Sequence, residues 1–434
     1  MSHPASGASA DRQQPDPAPV VRPVSSWRPD DGLVALGVGI AATGLGAVLG
    51  LAAERAAMGR TRAPAVDPDG DGRGGPALGS VHGEARIVIS DGVPLHVEVD
   101  EPDDAVHGPD ESLAEALVER LGNLTRNRRR PTIVMSHGYA LTLDSWHYQR
   151  LALRGRFRLV LWDQRGHGRS GTGPAGASTI DQIGRDLAAV IDAVEPKGPL
   201  VLLGHSMGGM TVMSLAAQRP DLFRKRVRGV ALLSTSAGGL DKMDLGLAGF
   251  GRLAMRAAPT AVKVLARRPG LVARSRKLGN DLETLLVRRY SFGSTVPPQL
   301  VAFAARMIAE TRVEVISDFL PTFSTHDKRE ALSAMREIEG LVMVGDRDLL
   351  IPAEQGREIA DRLPEAEFVL VPEAGHLLPL EYPGLVNGHI EGLLERAGTG
   401  RSARRRARTR RTVAPAPRGA SLKRPTKLTG GKAS

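Results

Sequence analysis

The stretch PLVLLGHSMGGM, residues 199–210, ends a run of large apolar side chains in a His-Ser pair hemmed by glycines. Glycine weakens a buried strand. Glycines at 204, 208 and 209 therefore mark a place where backbone must pass too close for side chains. Ser206 stands at the centre of a G-x-S-x-G pattern made by Gly204, His205, Ser206, Met207 and Gly208. A serine hydroxyl is a poor nucleophile at neutral pH. It needs a base within hydrogen-bond reach, and the base needs an acceptor to orient it. The run VGDRDLLIP offers Asp346 and Asp348, and PEAGHLLPLEYP offers His376. The chemistry such a set performs is acyl transfer. The imidazole takes the serine proton, returns it to the leaving group, and then activates the water that releases the acid.

These residues need elements that bring them together. Short apolar runs alternate with longer helical stretches: TIVMSHG, FRLVLWDQRG, LVLLGHS, GVALLST, GLVMVGDRD and EFVLVPEAGH. Continuous apolar runs between helices predict a parallel sheet covered on both faces. Each run ends in polar residues and glycine, and sites in such sheets gather at those carboxyl ends. ARIVISDGVPLHVEVD, residues 85–100, alternates around Asp91-Gly92 and predicts a hairpin. ESLAEALVERLGNL, residues 111–124, and MTVMSLAAQRP, which follows the serine, read as helices. Ser206 thus falls in a strand-to-helix turn that exposes its Oγ. Residues 240–330 break the rhythm with Arg-rich helical sequence, an inserted helical cap.

In these motifs the chain resembles the α/β-hydrolase family of the serine-nucleophile type, which includes esterases, lipases and haloperoxidase-like enzymes, over about residues 81–397. The resemblance implies an α/β fold with a mostly parallel central sheet, helices on both faces and an inserted cap. The family's acid lies in G-x-x-D with a proline downstream, which maps onto Gly345, Asp348 and Pro352; Asp346 is then left to cap a turn. Its base lies in G-H with Glu and Pro beyond, which maps onto Gly375-His376, Glu381 and Pro383. One oxyanion donor is implied at the backbone N–H of Met207 and the second at Tyr139, which follows His137-Gly138; Tyr139 could instead line the acyl pocket. His137 and His167 read as structural. Serine at the elbow disfavours epoxide hydrolases and haloalkane dehalogenases, whose relatives carry Asp there. No metal or organic cofactor is required. The expected function is cleavage of a carboxylic ester or thioester. Lactonase, perhydrolase and acyl-transfer activities share the same constellation. A rival of another class is a catalytically weak, membrane-tethered binding module, against which the intact Ser-Asp-His set argues.

Composition bears on the surroundings. The chain has 434 residues, a net charge of +10 and no cysteine. Disulfides and Cys-based metal sites are excluded, which fits a reducing compartment. Residues 401–434 hold 12 Lys or Arg and no acid, and residues 240–330 carry a surplus of 6 basic charges, leaving −8 for the remainder. Within the cap, residues 245–280 hold 8 basic residues and no acid among Leu, Val, Ala and Met. Such a stretch reads as membrane-surface binding, or else as a solvated cap face. Residues 1–30 read as disordered, 31–55 as a transmembrane helix, 56–80 as a linker and 398–434 as a disordered basic tail. The apolar core of the second of these, residues 33–53, is uncharged and spans roughly 31 Å as a helix. Its five glycines disfavour a buried soluble helix. Arg55, Arg60, Arg62 and Arg73 outnumber Arg22 and Arg28 across that segment, which predicts a single pass with the catalytic domain on the cytoplasmic side. A cleaved signal peptide would secrete it instead. The predicted partners are a small acyl ester and the membrane. Specific nucleic-acid binding is not expected, because no aromatic is interleaved with the tail's basic residues. The oligomeric state is not legible.

Overall fold

The computed structural model describes residues 21–23, 76–103, 130–240, 284–399 and 411–413. The segment 33–53, most of the linker, the helix read at 111–124, the basic stretch 245–280 and most of the tail lie outside the described residues. No helix among the described residues is long and apolar enough to cross a membrane.

Eight strands make the central sheet: β2 (Glu84–Ser90), β3 (Val93–Asp100), β4 (Thr132–Ser136), β5 (Leu159–Trp162), β6 (Leu200–His205), β7 (Val227–Leu233), β8 (Glu339–Gly345) and β9 (Glu367–Val371). Three-residue strands β1 (Val21–Pro23) and β10 (Arg411–Val413) extend its two edges, giving the order β1-β2-β3-β5-β4-β6-β7-β8-β9-β10. β2 and β3 form an antiparallel hairpin, and β3 runs antiparallel to β5. The hairpin turn has φ +50° at Asp91 and +73° at Gly92, the backbone that a two-residue turn needs to match strand twist. From β5 to β9 every neighbour is parallel. β4 sits between β5 and β6, so the order reverses there, and a crevice opens at the carboxyl ends on either side of such a reversal.

The unbroken apolar runs have a simple cause. Side chains alternate along a strand, and both faces of this sheet are covered. In β6, Leu200 and Leu202 enter one core and Val201 and Leu203 the other. The first core packs under α2 (Ile180–Val194) and α3 (Met207–Gln218). The second packs under α1 (His147–Leu153) and α9 (Pro383–Thr399), whose Val386, Ile390 and Leu393 recur at helical spacing. α2 starts at Thr179, whose hydroxyl accepts from the N–H of Gln182. Shorter helices α4 (Pro220–Lys225), α7 (Ala353–Arg362) and α8 (Leu378–Glu381) complete the layers.

The cap leaves after β7. Its neck is closed where Lys328 N–H donates to Ala237 O (2.6 Å) and Gly238 bridges to Asp327. Its described part holds helical residues 284–291, α5 (Pro298–Glu310) and α6 (Val313–Thr325). Val287, Phe292, Leu300, Phe303 and Met307 pack in one cluster with Leu141, Tyr148, Leu377 and Leu380. The cap thus rests on the segments that follow β4 and β9, their loops together with α1 and α8.

One buried ionic knot ties the antiparallel edge to α1. Arg150 is 2% exposed; its Nε and Nη2 donate to Asp100 (2.7 and 2.9 Å) and its Nη1 to Glu98 (2.6 Å). Burial opposes ionisation of Glu98, but His96, the Gly83 amide, Arg169 and Arg150 outweigh it and hold the carboxyl well below its ordinary range. Removing Arg150 leaves Asp100 without its bonded counter-charge, while Glu98 keeps Arg169 at 2.7 Å. Arg150→Met is expected to cost about 3–5 kcal/mol in denaturant unfolding; a loss below about 1 kcal/mol would show that Arg169 and His96 suffice.

Candidate active site

Ser206 lies between β6 and α3 at φ +53°, ψ −119°. A β-carbon-bearing residue rarely adopts that backbone, and it lifts the side chain out of the turn. The neighbours make it feasible. A Cβ on Gly204 would lie 2.5 Å from the Gly208 carbonyl oxygen, and one on Gly208 would overlap the Ser136 carbonyl. The turn is also pinned from β7: Ser206 N–H donates to Leu233 O (2.9 Å) and the Thr235 hydroxyl donates to Ser206 O (2.7 Å).

The loops after β8 and β9 bring the partners. His376 Nε2 lies 2.9 Å from Ser206 Oγ, and His376 Nδ1 lies 2.8 Å from Asp348 Oδ2. The other oxygen of Asp348 accepts the N–H groups of Leu350 and Ile351, both at 2.9 Å, which fixes the carboxylate. All three residues are buried, between 5% and 6% exposed. Asp346 lies elsewhere, accepting the N–H of Glu373 at 2.6 Å as the cap of a turn. The structure therefore unites Ser206, His376 and Asp348, and separates Asp346 from them.

His205 does more than fill the elbow motif. Its Nε2–H donates to the His376 carbonyl (2.8 Å), so the residue before the serine holds the loop that carries the imidazole. Burial and the neighbouring His376 push the His205 ring down to about 3, so it stays neutral. Met207 is the first residue of α3, where a helix leaves its N–H without an intrahelical acceptor. Neither the Met207 N–H nor that of Tyr139 donates to an acceptor among the described residues. The Tyr139 hydroxyl instead donates to Ile316 O of α6 (2.6 Å), and its ring meets Phe319 and Phe323 edge-on. That tie to the cap was not readable in the sequence, because it joins residues 177 apart.

His137 and His167 each give one ring N–H to a backbone carbonyl, and His167 Nε2 is buried without a partner. His137 Nδ1–H donates to Gly138 O (2.7 Å) and its Nε2 accepts the Gln164 N–H (2.9 Å). His167 Nδ1–H donates to Arg165 O (3.0 Å). Burial lowers His137 to about 4 and His167 to about 3. No group of three or more His, Cys, Asp or Glu among the described residues is arranged to hold a metal ion.

Ser206, His376 and Asp348 form a hydrogen-bonded chain at the ends of three parallel strands, with two unclaimed amides nearby. The sequence model for the alpha/beta hydrolase fold matches residues 131–383, and the chain belongs to that family. It is a hydrolase. It is 28% identical over 266 residues to the dihydrolipoyllysine-residue acetyltransferase component of the acetoin cleaving system of Pseudomonas putida, covering 61% of this chain and 63% of that protein. It is 24% identical to 3-oxoadipate enol-lactonase 2 of Acinetobacter baylyi, covering 62% of this chain and 90% of that one. Among solved structures, a thermophilic esterase from Thermogutta terrifontis superposes with a TM-score of 0.54 at 23% identity, over 72% of this chain and 97% of the esterase.

The buried imidazoles make stability depend on pH. His137, His167 and His205 are neutral when folded and have an ordinary value of 6.5 when unfolded. Below that value the unfolded chain binds more protons, so stability present above pH 6.5 drains away as pH falls toward about 4 and then 3. The urea midpoint should drop clearly from pH 7.5 to pH 5; an unchanged midpoint would mean these rings are not held neutral.

Proposed function

We propose that this protein cleaves a carboxylic ester or thioester through an acyl-serine intermediate. The observation that carries this reading is the unbroken contact from Ser206 Oγ through the His376 ring to Asp348. Ser206 attacks the acyl carbon as His376 Nε2 takes its proton. The oxyanion that forms is stabilised by the N–H groups of Met207 and Tyr139. His376 then protonates the departing alkoxide or thiolate, leaving acyl-Ser206. Water, deprotonated by the same imidazole, attacks the ester, and the acid leaves with Ser206 restored. Asp348 orients the ring and stabilises its cationic form without reacting.

A lipid-like or long apolar acyl chain fits best as substrate. The basic, apolar-interleaved stretch 245–280 and the basic tail both favour an anionic lipid surface, and residues 33–53 have the length to anchor the chain in it. The membrane is the proposed partner, with the catalytic domain on its cytoplasmic side. Pairing of β1 with β2 and a single crossing at 33–53 exclude one another, since the pairing needs residues 21–23 on the domain's side.

Fluorophosphonate labelling tests the chemistry. Ser206→Ala should abolish labelling and lower ester hydrolysis by on the order of 10³ to 10⁶. His376→Ala should lose about as much, Asp348→Asn somewhat less, and Asp346→Asn little. A crippled Asp346→Asn beside an active Asp348→Asn would reverse the assignment of the acid. An ester chain-length series then reads substrate preference.

Topology is tested with a tag at residue 1. A single pass exposes the tag outside intact cells and shields the catalytic domain from added protease. Removing residues 1–60 should release an active hydrolase that still binds anionic vesicles at low salt. A tag shielded with the domain would favour the β1–β2 pairing over a crossing, and a mature chain beginning past residue 53 would make the segment a signal peptide.

A further inference from the structure

Glu381 closes α8, five residues beyond His376, and is 5% exposed. A buried carboxylate is tolerated only where its oxygens are hydrogen-bonded. Three backbone amides serve it. Gly375 N–H donates to Oε2 at 2.7 Å, while Ser294 and Gly293 donate to Oε1 at 2.6 and 3.0 Å. The donors come from two different pieces of chain. Gly375 immediately precedes His376, whereas Gly293 and Ser294 belong to the cap, between helical residues 284–291 and α5.

The same two pieces meet backbone to backbone. Leu377 N–H donates to Ser291 O at 2.8 Å. A Cβ on Gly375 would lie 2.5 Å from Gly293 N, and one on Gly293 would lie 2.6 Å from the Ala374 carbonyl carbon. His376 is thus held from both sides. Glu381 and Ser291 bind the peptides that flank it toward the cap, and His205 binds its carbonyl toward the nucleophile.

We propose that Glu381 is a positioning residue that couples the cap to the general base, so that His376 meets Ser206 only while the cap segment 291–294 is seated. This rests on the acyl-serine reading above. The chemistry of the acceptor explains the choice of residue. An ionised carboxylate only accepts, so its two oxygens can bridge two sets of N–H donors. An amide of the same size presents an NH₂ to one set, and so can serve the base loop or the cap but not both.

Glu381→Gln in the full chain tests the coupling. Its kcat should fall by about 10²-fold, the scale of a 1 Å misplacement of a reacting group. KM for a short-chain p-nitrophenyl ester should change less than about twofold, because the acyl-binding surface is intact. In hydrogen exchange the amides of Gly293, Ser294 and Gly375 should lose protection while those of β6 keep theirs. Rates are taken at a temperature where the variant's circular dichroism matches the wild type. Wild-type kcat in Glu381→Gln, or a kcat that recovers fully once the variant is refolded in the cold, would overturn the coupling alone. A wild type that fluorophosphonate does not label, with a Ser206→Ala variant that still hydrolyses ester, would overturn the acyl-serine reading and this proposal together.

Discussion

A non-glycine residue held at φ +53° stores on the order of 1–3 kcal/mol, and it persists only where its surroundings over-determine it. Ser206 is such a residue, and much of the fold can be read as what that conformation requires. β6 lies between β4 and β7 near the middle of the parallel sheet, so the turn starts from a strand paired on both edges. α3, buried from Met207 to Ala216, leaves the same turn into the core. Gly208 rests against the Ser136 carbonyl at the end of β4, and Leu233 and Thr235 pin the serine's own peptide from the end of β7. Three adjacent strands therefore fix one side chain.

The strain is not confined to the serine. Among the described residues five non-glycines have positive φ, and four of them, Ala140, Ser206, Ser234 and Glu373, lie just beyond the carboxyl ends of β4, β6, β7 and β9. Tension is concentrated on the edge where the site sits, and the register shift of β6 against β7, at Leu200 and Val201, lies at the other end of β6. Glycine does the complementary work. Gly345 lies so close to the Ala374 carbonyl that any Cβ would overlap it, which brings the acid loop against the base loop. Gly375 and Gly293 repeat that contact between the base loop and the cap. Backbone packed directly on backbone leaves little play among these loops, because no side chain intervenes that could change rotamer.

How legible this was depends on sequence distance. The strands could be read because burial on both faces leaves unbroken apolar runs. The elbow could be read because its glycines and serine are consecutive. Asp348 and Asp346 look alike in charge and setting; the G-x-x-D resemblance with Pro352 beyond it singled out Asp348, and in the fold that carboxylate faces His376 while Asp346 accepts the N–H of Glu373. FRLVLWDQRG promised a longer strand than β5 delivers. Asp163 N–H still donates to His96 O of β3 (3.0 Å), while its carboxylate accepts the N–H groups of Leu143 (2.8 Å) and Arg169 (3.0 Å), binding the loop that follows β4. The knot of Arg150 with Glu98 and Asp100 was invisible for a different reason. Its members are about fifty residues apart, and each reads by itself as an ordinary surface charge.

Among the described residues His137, His167, His205 and His376 lie at the carboxyl edge of the sheet, and they differ in what their ring nitrogens meet. His137 spends both nitrogens on backbone, one donating to Gly138 and one accepting from Gln164. His205 spends its Nε2–H on the His376 carbonyl. His167 is fully buried against Tyr139, Phe319 and His137, with no carboxylate hydrogen-bonded to its ring. Each is desolvated without a countercharge bonded to it, and burial drives all three toward the neutral form. His376 alone pairs a hydroxyl on one nitrogen with a carboxylate on the other. A base must bear a positive charge for part of its cycle, and that charge is tolerable in a buried site only with an anion behind the ring. The choice among these histidines is therefore made by the partner of the second nitrogen, and Asp348 supplies it.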